Sequence, residues 1–187
     1  MSEFDNIDVV VNNAGFGLLG AIEDITSHEV KAQFETNVFG ALNVLRAVLP
    51  HLRRQASGHI LNITSIGGLV AYAGWGIYNG TKFALEGLSE ALYKEVADLG
   101  IKVTAIEPSA FRTNWAGSSL RIANNSLEAY EANSPRGYLS DLDGKQDGDP
   151  MRAAQAILAL VDMPEPPTQL LLGSGAYEDA IKNTKLL

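Results

Sequence analysis

Tyr78 and Lys82 lie four positions apart in Tyr78-Asn79-Gly80-Thr81-Lys82, and Ser65 stands thirteen positions ahead of the tyrosine in Asn62-Ile63-Thr64-Ser65. Four positions are about one helical turn, so a helix over this run sets a phenol beside an ammonium group. A free tyrosine has a pKa of about 10, and proton transfer near neutrality asks for a value lower by about three units, or about 4 kcal/mol. A neighbouring cation supplies much of that. The pair alone is a short pattern that also arises by chance.

Three further segments accompany it: Asp8-Val9-Val10-Val11-Asn12-Asn13-Ala14-Gly15, then Thr36-Asn37-Val38-Phe39-Gly40, and downstream Glu107-Pro108-Ser109-Ala110-Phe111-Arg112-Thr113. In this order and spacing they resemble the short-chain dehydrogenase/reductase family, whose members carry an Asn-Asn-Ala-Gly turn, a helical Asn, a Ser, a Tyr-x-x-x-Lys and a Pro-Gly-x-x-x-Thr segment. The resemblance implies hydride transfer between the nicotinamide of NADP(H) or NAD(H), the former favoured by the family alone, and the carbon of a small carbonyl compound or secondary alcohol. It assigns proton exchange with the substrate oxygen to Tyr78 and polarisation of that oxygen to Ser65. Lys82 is to hold Tyr78 partly ionised and bond the nicotinamide ribose, Tyr78 also counts among the cofactor-binding residues, and Asn37 is to support a water leading to Lys82. Asn12, Asn13, Ala14 and Gly15 are then expected along the cofactor ribose, Arg46 near the cofactor, and Pro108, Ser109, Phe111 and Thr113 against the nicotinamide. Ser109 replaces the family's glycine, which costs something if that residue needs a positive φ.

The same resemblance implies that the glycine-rich turn and the first strand-helix units, about 70 to 80 residues, do not precede the Asn-Asn-Ala-Gly strand here. The expected fold is an α/β, partial Rossmann-like, doubly wound parallel sheet missing its first strands, formed by residues 1–187 as one domain. Without a pyrophosphate turn, a non-catalytic binding or regulatory derivative of the fold is the alternative. Val9-Val10-Val11 is then expected at an exposed sheet edge, prone to pairing. Family helices over roughly 27–54 and 75–99 often pair between subunits, which implies a homodimer or homotetramer.

The elements that must position these residues follow from local pattern. Residues 7–12 form a β-branched run suited to a strand buried on both faces. Thr26 and Glu29 make a capping-box signature, and Val30, Phe34, Val38, Ala41, Leu42, Leu45, Val48 and Leu49 continue at helical spacing toward Arg54. Strands are expected over 58–63, 102–106 and 168–173, and helices from Trp75 to a C-cap at Gly100 and over 151–162. Between Asn114 and Pro150 the hydrophobic period disappears, and this segment is expected to be a flexible loop over the substrate. Leu69, Tyr72, Trp75 and Trp115 are candidate pocket residues.

A length of 187 residues with 46% hydrophobic and 19% charged side chains suits a globular domain. The net charge of −8 disfavours nucleic acid or an anionic membrane as partner. The absence of cysteine excludes disulfides and thiolate sites and fits a cytoplasmic protein, and no apolar run reaches the length of a membrane span. Gly15-Phe16-Gly17-Leu18-Leu19-Gly20 matches the dinucleotide fingerprint formally. Its third glycine falls about six residues short of the helix start at Thr26, so it is read as a loop. His28, His51 and His59 lack metal-ligand spacing and are expected on a helix surface or strand edge. Ser65 lacks the first glycine of a hydrolase nucleophile elbow.

Overall fold

The structure, a computed structural model, describes residues 6–134 and 143–184. Four strands, β1 (Val9–Asn12), β3 (Gly58–Ile63), β4 (Ile101–Pro108) and β6 (Gln169–Leu172), form an all-parallel sheet in the order β1-β3-β4-β6. The register sets Val10 beside Ile60, Ile60 beside Val103, and Ile106 beside Leu170. Successive side chains on a strand point to opposite faces. Ile60, Val10, Val103 and Ile101 therefore pack against Leu45 and Leu52 of α2 (Ala41–Gln55) and Leu92 and Val96 of α3 (Gly76–Val96). Leu61 and Ile106 face the other way onto Leu160 of α4 (Pro150–Val161). Helices thus cover both faces, as β-branched strands of this kind require. Among the described residues β1 hydrogen-bonds to a strand on one side only, with Val11 half exposed.

The capping box forms as the sequence predicts: Thr26 Oγ1 accepts from Glu29 N at 3.3 Å, while Glu29 Oε2 accepts from Thr26 N at 2.8 Å. The long helix it opens is not uniform. Helix α1 (Ser27–Phe34) runs into a π-helical segment, Glu35–Gly40, before α2. Gly100 adopts φ 71° after the single 3₁₀ turn Ala97–Leu99, and a Cβ there would meet Ala56 O at 2.3 Å. Glycine is required at that turn.

Two features depart from the sequence reading. Gly17–Leu19 is a strand, β2, paired in parallel with β5 (Leu120–Ile122), which lies inside the segment expected to be an irregular loop. The same segment holds further local structure, with Arg112 N donating to Gly148 O at 3.0 Å and a 3₁₀ segment at Glu128–Asn133. Residues 135–142 of the expected loop lie outside the described residues. A last helix, α5 (Ser174–Thr184), follows β6.

His59 is not at a strand edge. It is 4% exposed on the interior strand β3, with Nε2 3.0 Å from Thr104 Oγ1. Thr104 gives its own proton to Pro167 O at 2.7 Å, so Nε2 carries the imidazole proton and the buried Nδ1 is left without a donor. Burial, reinforced by Lys102, pushes the ring down from 6.5 to about 4. A base whose pKa falls on folding binds its proton first in the unfolded chain, so its neutral form costs nothing above pH 6.5 and stability falls as pH drops toward 4. The size is about 3 kcal/mol. Relative to a His59→Gln variant, thermal melting of the parent chain should worsen by roughly 5–10 °C between pH 7 and pH 4. An unchanged difference between the two would contradict a neutral buried ring.

Candidate active site

Parallel strands deliver their following loops to one edge of the sheet, and ligands of open α/β sheets bind there. Asn13 to Gly15 follow β1, Thr64 and Ser65 follow β3, and Pro108 to Thr113 end and follow β4. Tyr78 and Lys82 come to this edge from the first two turns of α3 and are 7% exposed each.

Ser65 sits in extended backbone, and its Oγ accepts from Gly67 N at 3.0 Å. Its hydroxyl is in hydrogen-bond reach of the Tyr78 phenol. Asn79 holds this loop in place, with Nδ2 donating to Gly67 O at 2.8 Å and Oδ1 accepting from Tyr72 N at 3.1 Å. Lys82 Nζ lies 5.7 Å from the Tyr78 ring centre and donates to Ile63 O at 2.8 Å. Asn37 lies in the π-helical segment, a device that re-aims side chains and recurs at functional sites. Its Nδ2 donates to Phe16 O and Thr81 Oγ1, both at 3.1 Å, and its Oδ1 accepts from Phe16 N at 3.1 Å. Thr81 Oγ1 in turn donates to Tyr78 O at 2.7 Å. Asn37 therefore ties the turn after β1 to the backbone of Tyr78 itself. A Cβ on Gly15 would stand 3.2 Å from Asn37 Oδ1 and 3.9 Å from Lys82 Nζ, so Gly15 leaves the floor between them open.

The electrostatics differ from the sequence expectation. Burial pushes the Tyr78 phenol up to about 12, with the Ser65 hydroxyl partly opposing, and lowering by the lysine does not emerge. The reason is the aromatic cover. Trp75 and Trp115 stack at 5.5 Å, and their ring centres lie 5.8 and 5.3 Å from that of Tyr78. Burial also pulls Lys82 down to about 8, against the field of Glu86. At neutral pH the site holds a neutral phenol beside a lysine that is largely still charged.

The other sequence-selected residues have these surroundings. Asn12 Nδ2 donates to Asn62 Oδ1 at 2.8 Å, and Asn62 donates to Ser89 Oγ at 2.8 Å, so the Asn12 side chain joins sheet to helix. Asn13 and Ala14 are exposed beyond it. Arg46 is exposed on α2, where among the described residues no hydrogen bond or ion pair holds it toward Tyr78. Ser109 has no positive φ, its N donates to Leu172 O at 2.9 Å, and its side chain packs against Gly173. Phe111 packs on Gly148, while Thr113 Oγ1 accepts from Trp115 N at 3.3 Å. Tyr72 donates to Asp179 Oδ2 at 2.7 Å, which turns it toward α5. The sequence reading missed Thr81 and Asn79, although both stand inside the Tyr78–Lys82 run.

Residues 1–121 match the short chain dehydrogenase family. The chain belongs to that family. Oxidoreductase BOA17 of Botryotinia fuckeliana is 41% identical over 187 residues, 99% of this chain and 68% of the relative. The 3-ketodihydrosphingosine reductase of Bacteroides thetaiotaomicron is 46% identical over 115 residues, 62% of this chain and 43% of the relative. A short-chain dehydrogenase structure from Streptomyces avermitilis superposes with a TM-score of 0.90 at 38% identity, covering 99% of this chain and 68% of that one. ElxO with NADP bound superposes at 0.74 and 26% identity, over 95% and 70%. This short-chain dehydrogenase chain thus spans 43% to 70% of these four proteins. At the coarse level its relatives are oxidoreductases. Among the described residues no helix is long and apolar enough to cross a membrane.

Proposed function

We propose that the chain carries the proton-transfer site of an NADP(H)- or NAD(H)-dependent oxidoreductase that interconverts a small carbonyl compound and its secondary alcohol. The observation that carries this reading is the Ser65 hydroxyl in reach of the Tyr78 phenol, with Lys82 one turn further along α3 and all three at the ligand-binding edge of the sheet.

Tyr78 is the proton donor in the reducing direction: a phenol held near 12 stays protonated at neutral pH and gives up its proton as charge develops on the substrate oxygen. Ser65 donates to the same oxygen and orients it. Lys82 retains ammonium hydrogens beyond the one spent on Ile63 O, and they face the open floor at Gly15, where ribose hydroxyls fit. Asn37 fixes that floor relative to Tyr78. The nicotinamide, when bound, supplies the hydride. Trp75 and Trp115 exclude water from Tyr78 and favour an apolar or planar substrate, and Trp115 must move for substrate to reach the phenol.

The test is to mix the purified chain with NADPH or NADH and a panel of ketones and aldehydes, following the near-ultraviolet absorbance of the reduced nicotinamide and its fluorescence on binding. Carbonyl-dependent oxidation is expected. Binding of nicotinamide without turnover of any carbonyl compound would favour the non-catalytic alternative, and absence of both would overturn the reading.

A further inference from the structure

The Lys82 ammonium is taken almost wholly out of water, and its direct partner, Ile63 O, is a dipole rather than a counter-charge. One turn beyond it on α3, Glu86 is bent inward, its Cγ 3.0 Å from where a Cβ on Gly68 would stand, so glycine at 68 admits it beneath the Ser65 loop. Glu107, on β4, is 1% exposed, and its Oε1 accepts from Gln169 Nε2 at 2.9 Å. The two carboxyl groups are close enough for each to act on the ionisation of the other. Two ionised carboxylates have only acceptors, so a hydrogen bond between them requires one proton. Glu86 Oε1 is buried and receives no N–H or hydroxyl donor, which leaves it free to accept that proton from Glu107. The single Thr64 hydroxyl proton, which goes to Ile106 O at 2.9 Å, also lies beside Glu86.

We propose that Glu86 and Glu107 share one proton and together present a single negative charge that serves as the counter-charge of Lys82, which makes both of them positioning residues for the Tyr78–Lys82 site; the inference rests on the function proposed above. Like charges this close cannot both ionise cheaply, whereas one proton leaves a charge that offsets the buried ammonium. Burial raises both carboxyls, Glu86 further raising Glu107, while Glu86 is drawn back by Thr64, Gln169, Glu107 and Lys82. Among the described residues, the charged and titratable groups that act on the pair are Lys82 on α3 and the two glutamates themselves, and β6 contributes the neutral Gln169. Structural packing alone would fill this place with apolar side chains of similar volume, since buried carboxyls carry a desolvation cost.

The test reads ionisation and does not depend on turnover. In the full chain, the lysine Cε signal of Lys82 (assigned by its loss in Lys82→Arg) and the glutamate Cδ signals of residues 86 and 107 are followed by carbon NMR against pH. Either single substitution, Glu86→Gln or Glu107→Gln, leaves one negative charge, so the Lys82 titration should stay close to that of the parent. The double variant should lower it by at least about one pH unit. In Glu86→Gln, Glu107 should titrate at least about one unit lower than in the parent, where it shares its site with a carboxylate. A Lys82 titration identical in parent and double variant, or a Glu107 titration unmoved by Glu86→Gln, would overturn the proposal. If the double variant does not fold, the Glu107 titration decides it. Failure of the oxidoreductase reading would leave these titrations intact, so the two failures are distinguishable.

Discussion

Replacement of Tyr78 by phenylalanine should lower carbonyl-dependent oxidation of reduced nicotinamide by at least about 10³-fold, because it removes the group that gives its proton to the substrate oxygen, and positioned acid catalysis contributes about 10²–10⁴. The packing survives. The Tyr78 ring is held by edge and tilted contacts with Trp75 and Trp115, which a phenyl ring reproduces. The phenol's interaction with the Ser65 hydroxyl is lost, at a cost of no more than about 1 kcal/mol. The melting temperature should therefore move by no more than about 4 °C. Nicotinamide affinity should change less than threefold, since Lys82 and Gly15 remain in place. A variant that turns over within tenfold of the parent would remove Tyr78 from the chemistry. The pH profile carries the same information. With the phenol raised to about 12 and the lysine lowered to about 8, the reducing direction should be level through neutrality and fall as pH rises through the Lys82 value.

The largest expected effect on stability comes from Asn37→Ala. The Asn37 carboxamide is 3% exposed and meets both the N–H and the C=O of Phe16 as well as Thr81 Oγ1. Truncation leaves the part-buried Phe16 N–H without its side-chain acceptor; Phe16 O keeps a donor in Gln33 Nε2 at 3.0 Å. The three lost hydrogen bonds of a buried carboxamide cost about 1–3 kcal/mol together, and the lost volume adds to it. We expect about 3 kcal/mol in total and a melting temperature lower by about 6–12 °C. The loss should also appear as faster amide exchange at Phe16 and Thr81, which marks the coupling between the turn after β1 and α3. An Asn37→Ala variant as stable as the parent, with Phe16 protection unchanged, would show that the π-helical segment is held by something else.

Much of this arrangement is legible in the sequence because the signals are local. The capping box at Thr26 and Glu29, the C-cap at Gly100 and strand β3 each depend on residues within a few positions, and each forms as expected. The pairing of β2 with β5 joins Gly17–Leu19 to Leu120–Ile122, about a hundred residues away, and neither run is long enough to announce itself. The π-helical turn at Glu35–Gly40 leaves the apolar spacing of its neighbours nearly unchanged, so a continuous helix is the natural reading. The one-turn spacing that sets Tyr78 near Lys82 is legible in the sequence, but the protonation of the phenol is not. It is set by burial beneath Trp75 and Trp115, which the fold brings together from positions forty apart. Nothing local in the sequence marks Glu86 and Glu107 as neighbours. Only the approach of α3 to the ends of β4 and β6 buries them against each other. Asn12 shows the converse: a motif residue whose side chain the fold spends on the Asn62–Ser89 ladder.

The central claim is that a hydride moves at the edge of the sheet while Tyr78 supplies a proton, and an isotope tracer tests it most directly. The chain is incubated with NADPH or NADH carrying deuterium at the nicotinamide C4 and with a carbonyl compound that it turns over, and the alcohol product is read by mass spectrometry. The account predicts one deuterium on the carbinol carbon in product from the parent chain, and no labelled product above background from Tyr78→Phe. Labelled alcohol formed equally well by the parent and by Tyr78→Phe would contradict it.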